Sequence, residues 1–153
     1  MILEALLSPT LSLCKLPGSS KKKLLLNIAQ AIAEQYPQLD ADTVFNRLIA
    51  RERLGSTGIG EGVAIPHCRL PGCEGPIGVL CTTDPAVDFD SADRQPVDLL
   101  FALLVPENSE QQHLETLAEI AALFSDSRVR TKLRRAQSGD ELYALAIDSA
   151  AAA

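Results

Sequence analysis

No apolar run in this chain approaches the ~20 residues that a bilayer-spanning helix needs, although 46% of its 153 residues are apolar. The opening MILEALLSPTLSLCKL carries Glu4 and lacks a basic first region, so it makes a poor signal peptide. Membrane insertion is not expected. A positive surface is missing as well. Twenty Asp and Glu against 14 Lys and Arg leave a formal charge of −6, which argues against general nucleic-acid or anionic-membrane binding. Cysteine is scarce: Cys14, Cys68, Cys73 and Cys81 read as reduced thiols of a cytoplasmic protein whose core needs no staples. Repeats and low-complexity linkers are absent apart from the terminal alanines. One domain spanning 1–153 is expected, and a chain of that length buries roughly 70% of its unfolded surface.

What is present is a clear alternation of helical and extended patterns. Ser19 or Ser20 caps a helix running to about Gln35, with Leu24, Leu25, Ile28, Ala31 and Ile32 as its buried stripe. Lys21, Lys22 and Lys23 in its first turn are expected to form a solvated face. Asp40 caps a second helix, with Ala41, Val44, Phe45 and Leu48 inward and Arg51 in the last turn, ending before Gly55. Strands are predicted at 63–65, 77–82 and 97–105. The last of these, VDLLFALLV, has the near-continuous apolar character of a strand buried on both faces. Ser109 and Gln112 stand in a capping-box relation ahead of Leu114, Leu117, Ala121 and Phe124. Helices at about 126–136 and 139–149 complete the chain, the second with Ser138 and Glu141 in the same relation. This order implies an α/β sandwich: a mixed β-sheet flanked by helices.

The stretch RERLGSTGIGEGVAIPHCRL, residues 51–70, holds four glycines in eight positions and, near its end, one of only two histidines. It is not a Walker loop, because no Gly-Lys-Ser/Thr follows, and Val63 breaks the dinucleotide fingerprint. A helix precedes these glycines where both motifs require a strand. The remaining reading is a glycine-rich wall leading into a strand that presents Pro66 and His67, with the proline stiffening the platform. His113, the second histidine, falls in the first turn of a helix, where the positive dipole end disfavours a charged imidazole. Two such rings facing one crevice would suit phosphoryl transfer through a phosphohistidine, because an imidazole with a pKa near ~6.5 is largely the neutral nucleophile at cytoplasmic pH. Arg51 and the hydroxyls and amides of the loop Gly55, Ser56, Thr57 and Gly58 would stabilise the phosphoryl charge.

Three segments then carry a resemblance. RERLGSTGIGEGVAIPHCRL resembles the active-site signature of the fructose/mannitol-type IIA proteins of the bacterial phosphotransferase system. PENSEQQHLETLAEIAALF resembles that family's second-histidine segment, and LCKLPGSSKKKLLLNIAQAIAEQYP is most similar to its nitrogen-regulatory branch. The resemblance spans nearly the whole chain. It implies a mixed-sheet α/β sandwich, phosphorylation of His67 on Nε2, stabilisation of the phosphohistidine by His113, and contact of Arg51 with the phosphoryl group or its donor. It implies no cofactor. The implied donor is a small histidine phosphocarrier of the HPr/NPr kind, charged from phosphoenolpyruvate. The implied targets of the nitrogen branch are proteins such as potassium transporters or sensor kinases, bound according to phosphorylation state. The pattern departs from the family at Cys68, where glycine is usual, so the access to His67 is expected to change. Glu61 replaces a small or amide residue and is expected to face solvent or pair with an arginine.

Other readings stay open on the residues alone. A sugar-specific IIA component would pass its phosphate to a IIB domain. A structural zinc site would use His67, Cys68, Cys73 and Cys81, at a loose spacing. Oxidation of Cys68 with Cys73 would be a way to block His67, and a pure binding module would carry incidental histidines.

Overall fold

The structure is a computed structural model and describes residues 2–109 and 111–152. The chain opens with a short helix, α1 (Ile2–Leu6), and a 3-10 turn at Pro9–Leu11 that leads into strand β1 (Ser12–Leu16). Helices α2 (Lys21–Gln35) and α3 (Ala41–Arg53) follow, then strands β2 (Gly58–Gly60), β3 (Val63–Ala64), β4 (His67–Leu70), β5 (Ile77–Val87) and β6 (Val97–Pro106). Three helices close the chain: α4 (Gln111–Phe124), α5 (Ser127–Arg134) and α6 (Gly139–Ala152).

The caps form because short polar side chains satisfy helix amides that have no intrahelical partner. Ser20 Oγ accepts from the Lys23 amide at 3.1 Å, and the Asp40 carboxylate accepts from the Thr43 amide at 3.0 Å. Ser138 Oγ accepts from the Glu141 amide, while the Glu141 carboxylate reaches back to the Gln137 amide, both at 3.1 Å. The capping relation expected between Ser109 and Gln112 falls on a side chain outside the described residues.

The sheet is mixed, in the order β1-β5-β6-β3-β2, with β4 also paired to β6. Strand β5 runs antiparallel to β6, whereas β3 and β4 both run parallel to it. Side chains of β6 alternate between two cores. Leu100, Ala102 and Leu104 pack towards α2 and α3, with Leu24, Leu25, Ile28, Val44 and Leu48. Leu99, Phe101, Leu103 and Val105 pack on the other face with Leu3, Ile120, Phe124, Leu133 and Leu142. Covering both faces explains why this strand reads as unbroken apolar sequence. The expected sandwich and mixed sheet are therefore present. Four elements went unread, α1, β1, β2 and β4, and β5 extends five residues past its expected end.

Because Leu104 is fully buried and sits opposite Ile77 in the centre of the sheet, Leu104→Ala should lower the unfolding free energy by about 2–5 kcal/mol. Urea denaturation measures this, and an unchanged midpoint would contradict the placement.

Candidate functional site

The site begins where the sheet changes strand. β3 pairs with β6 at Leu99 and Leu100, and β4 takes up the same edge with His67 opposite Leu103. Between them lies Pro66, which has no amide to donate, and its carbonyl accepts from the Leu103 amide at 2.8 Å. The Ile65 amide turns instead to the Thr57 carbonyl at 3.0 Å. The Ile65 carbonyl is thereby left facing His67, whose Nδ1 lies 2.8 Å away. A carbonyl only accepts, so Nδ1 carries the hydrogen and the neutral ring keeps its lone pair on Nε2.

Arg51, in the last turn of α3, donates from Nε to His67 Nε2 at 3.3 Å and from Nη1 to the Gly55 carbonyl at 2.9 Å. His113, in the first turn of α4, places its ring centroid 5.2 Å from that of His67, tilted by 53°. Its Nδ1 is buried without a hydrogen-bond partner among the described residues. Residues from α3, β4 and α4, far apart in sequence, thus meet at one ring pair.

Both rings are held below the ordinary histidine value of 6.5. For His67 burial is the main cause; the Ile65 carbonyl opposes it, the Arg51 charge adds to it and Glu52 opposes it. For His113 burial again comes first, followed by His67, Arg69 and Arg51, all lowering. Two neighbouring rings and two arginines make a second positive charge unfavourable here. The site therefore holds neutral imidazoles.

The glycine loop has a different arrangement from the one expected. Thr57 is buried, and its amide and hydroxyl both donate to the Glu52 carboxylate, the amide at 3.1 Å. Ser56 Oγ donates to the Phe89 carbonyl at 2.6 Å and accepts from the Gly58 amide at 3.0 Å. The expectation that the Ser56 and Thr57 hydroxyls and the Gly58 amide face a phosphoryl group is corrected: they are consumed inside the protein. Gly58 is required by close approach, since a Cβ there would lie 2.0 Å from Ser91 Oγ. Gly55 has a positive φ of 150°, open space beside it, and a carbonyl held by Arg51.

Cys68 alternates away from His67. It is buried in the core beneath α2 and α3, and burial pushes its thiol up to about 12. The expected effect on access to His67 is corrected by this pleat, because successive strand residues point to opposite faces. Cys73 donates to the Gly75 carbonyl at 2.9 Å. Among the described residues no three His, Cys, Asp or Glu side chains gather as a metal-binding group. Glu61 is exposed, 3.9 Å from Arg130, as expected of it.

Sequence reasoning missed two charged residues. Glu52 is buried, with Oε1 2.8 Å from Lys21 Nζ, so Lys21 is not part of the solvated face assigned to it; Lys22 and Lys23 are exposed. A signal existed. Glu52 continues the inward Val44 and Leu48 stripe at i+4 spacing, and Lys21 precedes Leu25 and Ile28 on the stripe of α2.

Residues 5–148 match the family model described as "Phosphoenolpyruvate-dependent sugar phosphotransferase system, EIIA 2". The chain belongs to the EIIA 2 family. Among its relatives, a nitrogen regulatory protein of Pseudomonas aeruginosa is 51% identical over 146 residues, covering 95% of each chain. A crystal structure of the nitrogen regulatory protein IIA-Ntr from Neisseria meningitidis superposes with a TM-score of 0.87 at 37% identity, over 95% of this chain and 99% of that one. The crystal structure of mannitol IIA from Escherichia coli shares the fold, with a TM-score of 0.75 at 18% identity over 92% and 98% of the two chains. No helix among the described residues of this EIIA 2 chain is long and apolar enough to cross a membrane.

Each ring should titrate below 6.5 in a two-dimensional NMR pH series, and Arg51→Ala should raise both midpoints because the guanidinium lowers both. Folded values below the unfolded one mean that the unfolded chain binds more protons. The histidine contribution to stability is then complete above 6.5 and is lost as the pH falls below it towards the folded values. Urea midpoints measured from neutral pH downwards check the sign, and midpoints at or above 6.5 for both rings would contradict it.

Proposed function

We propose that this EIIA 2 chain accepts a phosphoryl group on His67 Nε2 from a small histidine phosphocarrier of the HPr/NPr kind and acts as a phosphorylation-dependent regulator. The observation that carries this reading is the pinned ring: Nδ1 engaged by Ile65 at 2.8 Å, Nε2 facing Arg51, and His113 at 5.2 Å. The Nε2 lone pair attacks the phosphorus of the donor's phosphohistidine. A nitrogen–phosphorus bond forms at His67 as the donor's own breaks, and the donor ring recovers its electron pair. Nδ1 keeps its hydrogen throughout. Arg51 swings from Nε2 to the phosphoryl oxygens, and a ring N–H of His113 donates to them, so that charge developing in transfer meets donors held beside the ring. The loop 55–58 serves as the frame for Arg51 and Ile65.

The donor is a protein, and exposed apolar side chains support a docking surface for it. Leu54 is 85% exposed just beyond the helix carrying Arg51, Leu114 is 68% exposed next to His113, and Ile59 is 49% exposed in β2. Isolated exposed apolar side chains are ordinary, but two leucines and an isoleucine beside the segments of one site support a contact surface there. Phosphorylation adds ~1.5–2 negative charges there, by analogy with phosphoserine. A partner bearing arginines would prefer the charged form, and one reading the apolar rim would prefer the uncharged form. Targets of the kind the nitrogen branch implies, potassium transporters or sensor kinases, would be sorted this way in the cytoplasm, where the phosphoenolpyruvate cascade runs.

Incubation with the phosphoenolpyruvate-charged donor cascade, followed by mass spectrometry of the acid-labile phosphate, tests the reading. Wild type should carry one phosphate on His67, His67→Ala none, and His113→Ala a weaker label that is not passed on. Unchanged labelling of His67→Ala overturns the assignment, and normal onward transfer by His113→Ala overturns the role of that ring. Rapid transfer to a purified sugar IIB domain would favour a sugar-specific component instead.

A further inference from the structure

Glu52 stands where an apolar side chain would continue the Val44 and Leu48 stripe of α3. Its side chain is only 4% exposed, and one side of it leads towards His67. Lys21 Nζ meets it at 2.8 Å, with the Phe89 carbonyl at 3.3 Å, the Phe89 ring at 4.7 Å and Asp90 at 3.9 Å around the ammonium. On its other side the Thr57 amide and hydroxyl donate to it. From Thr57 the connection continues through two bonds: the Thr57 carbonyl accepts from Ile65 at 3.0 Å, and the Ile65 carbonyl accepts from His67 Nδ1 at 2.8 Å. The residue before Glu52 is Arg51, which faces Nε2 of the same ring. One carboxylate thereby braces the carbonyl that engages Nδ1, one residue along α3 from the arginine that faces Nε2.

Resting on the phosphorylation of His67 proposed above, we propose that Glu52, braced by Lys21 and bonded to Thr57, is a positioning residue for phosphoryl transfer. It fixes the Ile65 carbonyl that aims the ring and sets a negative charge within electrostatic reach of it, favouring the positive ring that forms as Nε2 takes on phosphorus. The other charges and titratable groups facing His67 are Arg51 from α3 and His113 from α4, with Arg69 of β4 acting on His113. Of these, Glu52 is the one that favours positive charge on His67, besides the Ile65 carbonyl. Lys21, at 2.8 Å, pairs the carboxylate in a buried position, where an unpaired charge would be costly.

Three variants test the proposal: Glu52→Gln, the double Lys21→Met/Glu52→Gln, which leaves no lysine stranded if the single variant folds poorly, and Thr57→Val with Thr57→Ser as its conservative control. His67 is followed by NMR pH titration, and transfer by single-turnover phosphorylation at saturating donor alongside donor affinity. With Glu52→Gln or the double variant, the His67 midpoint should fall and the saturating rate drop by about tenfold to a hundredfold, while donor affinity stays within about twofold. Thr57→Val keeps the charge, so its midpoint should hold while its rate falls, and Thr57→Ser should restore the rate. Two outcomes overturn the proposal: an unmoved His67 midpoint in folded Glu52-less protein, or loss of donor affinity and thermal stability at an unchanged saturating rate. Wild type that takes no phosphate overturns the functional reading instead, and the titration still decides whether Glu52 acts on the ring.

Discussion

The hydrogen bond from His67 Nδ1 to the Ile65 carbonyl is the contact on which the site depends. It is made between residues two apart, at 2.8 Å, and it settles which nitrogen of the ring holds a lone pair. That local bond exists only because the sheet interrupts itself at Ile65 and Pro66. In an unbroken strand the Ile65 carbonyl would belong to the ladder. Here the ladder along β6 passes from β3 to β4, and the break releases one acceptor beside one imidazole. The proline, without an amide of its own, makes the interruption inexpensive.

Around this bond the protein keeps two rings neutral while surrounding them with positive charge. Burial and the arginines push both histidines in the same direction. Neutral rings close together would suit the phosphoryl transfer proposed above, since a neutral imidazole keeps the lone pair that attacks phosphorus. The carboxylate that is present, Glu52, lies behind the loop, paired with Lys21 and saturated by Thr57. Negative charge is thus held in a buried ion pair and reaches the ring only through Thr57 and Ile65 and through its field.

The loop itself contributes through what it excludes. Ser56, Thr57 and Gly58 direct their polar groups inward, and α5 secures the following turn: Arg134 donates to the Glu61 carbonyl and lies 2.9 Å from Asp98. A glycine-rich stretch that looks open in sequence is pinned at both ends by charged side chains. The chain belongs to the EIIA 2 family, and the phosphoryl transfer proposed for it would use such a frame to hold the histidine.

Periodicity in the sequence determined the helices from Lys21 to Arg53 and from Gln111 onward and the doubly buried strand Val97–Pro106, because these follow from local spacing and capping chemistry. The quoted motifs determined the family. Short edge elements such as β1 left no such trace, since five residues on a sheet margin need neither strict alternation nor a turn signature. The inward Glu52 and Lys21 were visible as charges on apolar stripes, but a stripe says only that a residue points inward, not what it meets. Only the tertiary structure decided that these two meet, that Cys68 turns into the core and that Arg51 and His113 converge on one ring. Convergence across 16 residues in one case depends on how helices pack over a broken sheet edge, and no local pattern encodes that distance.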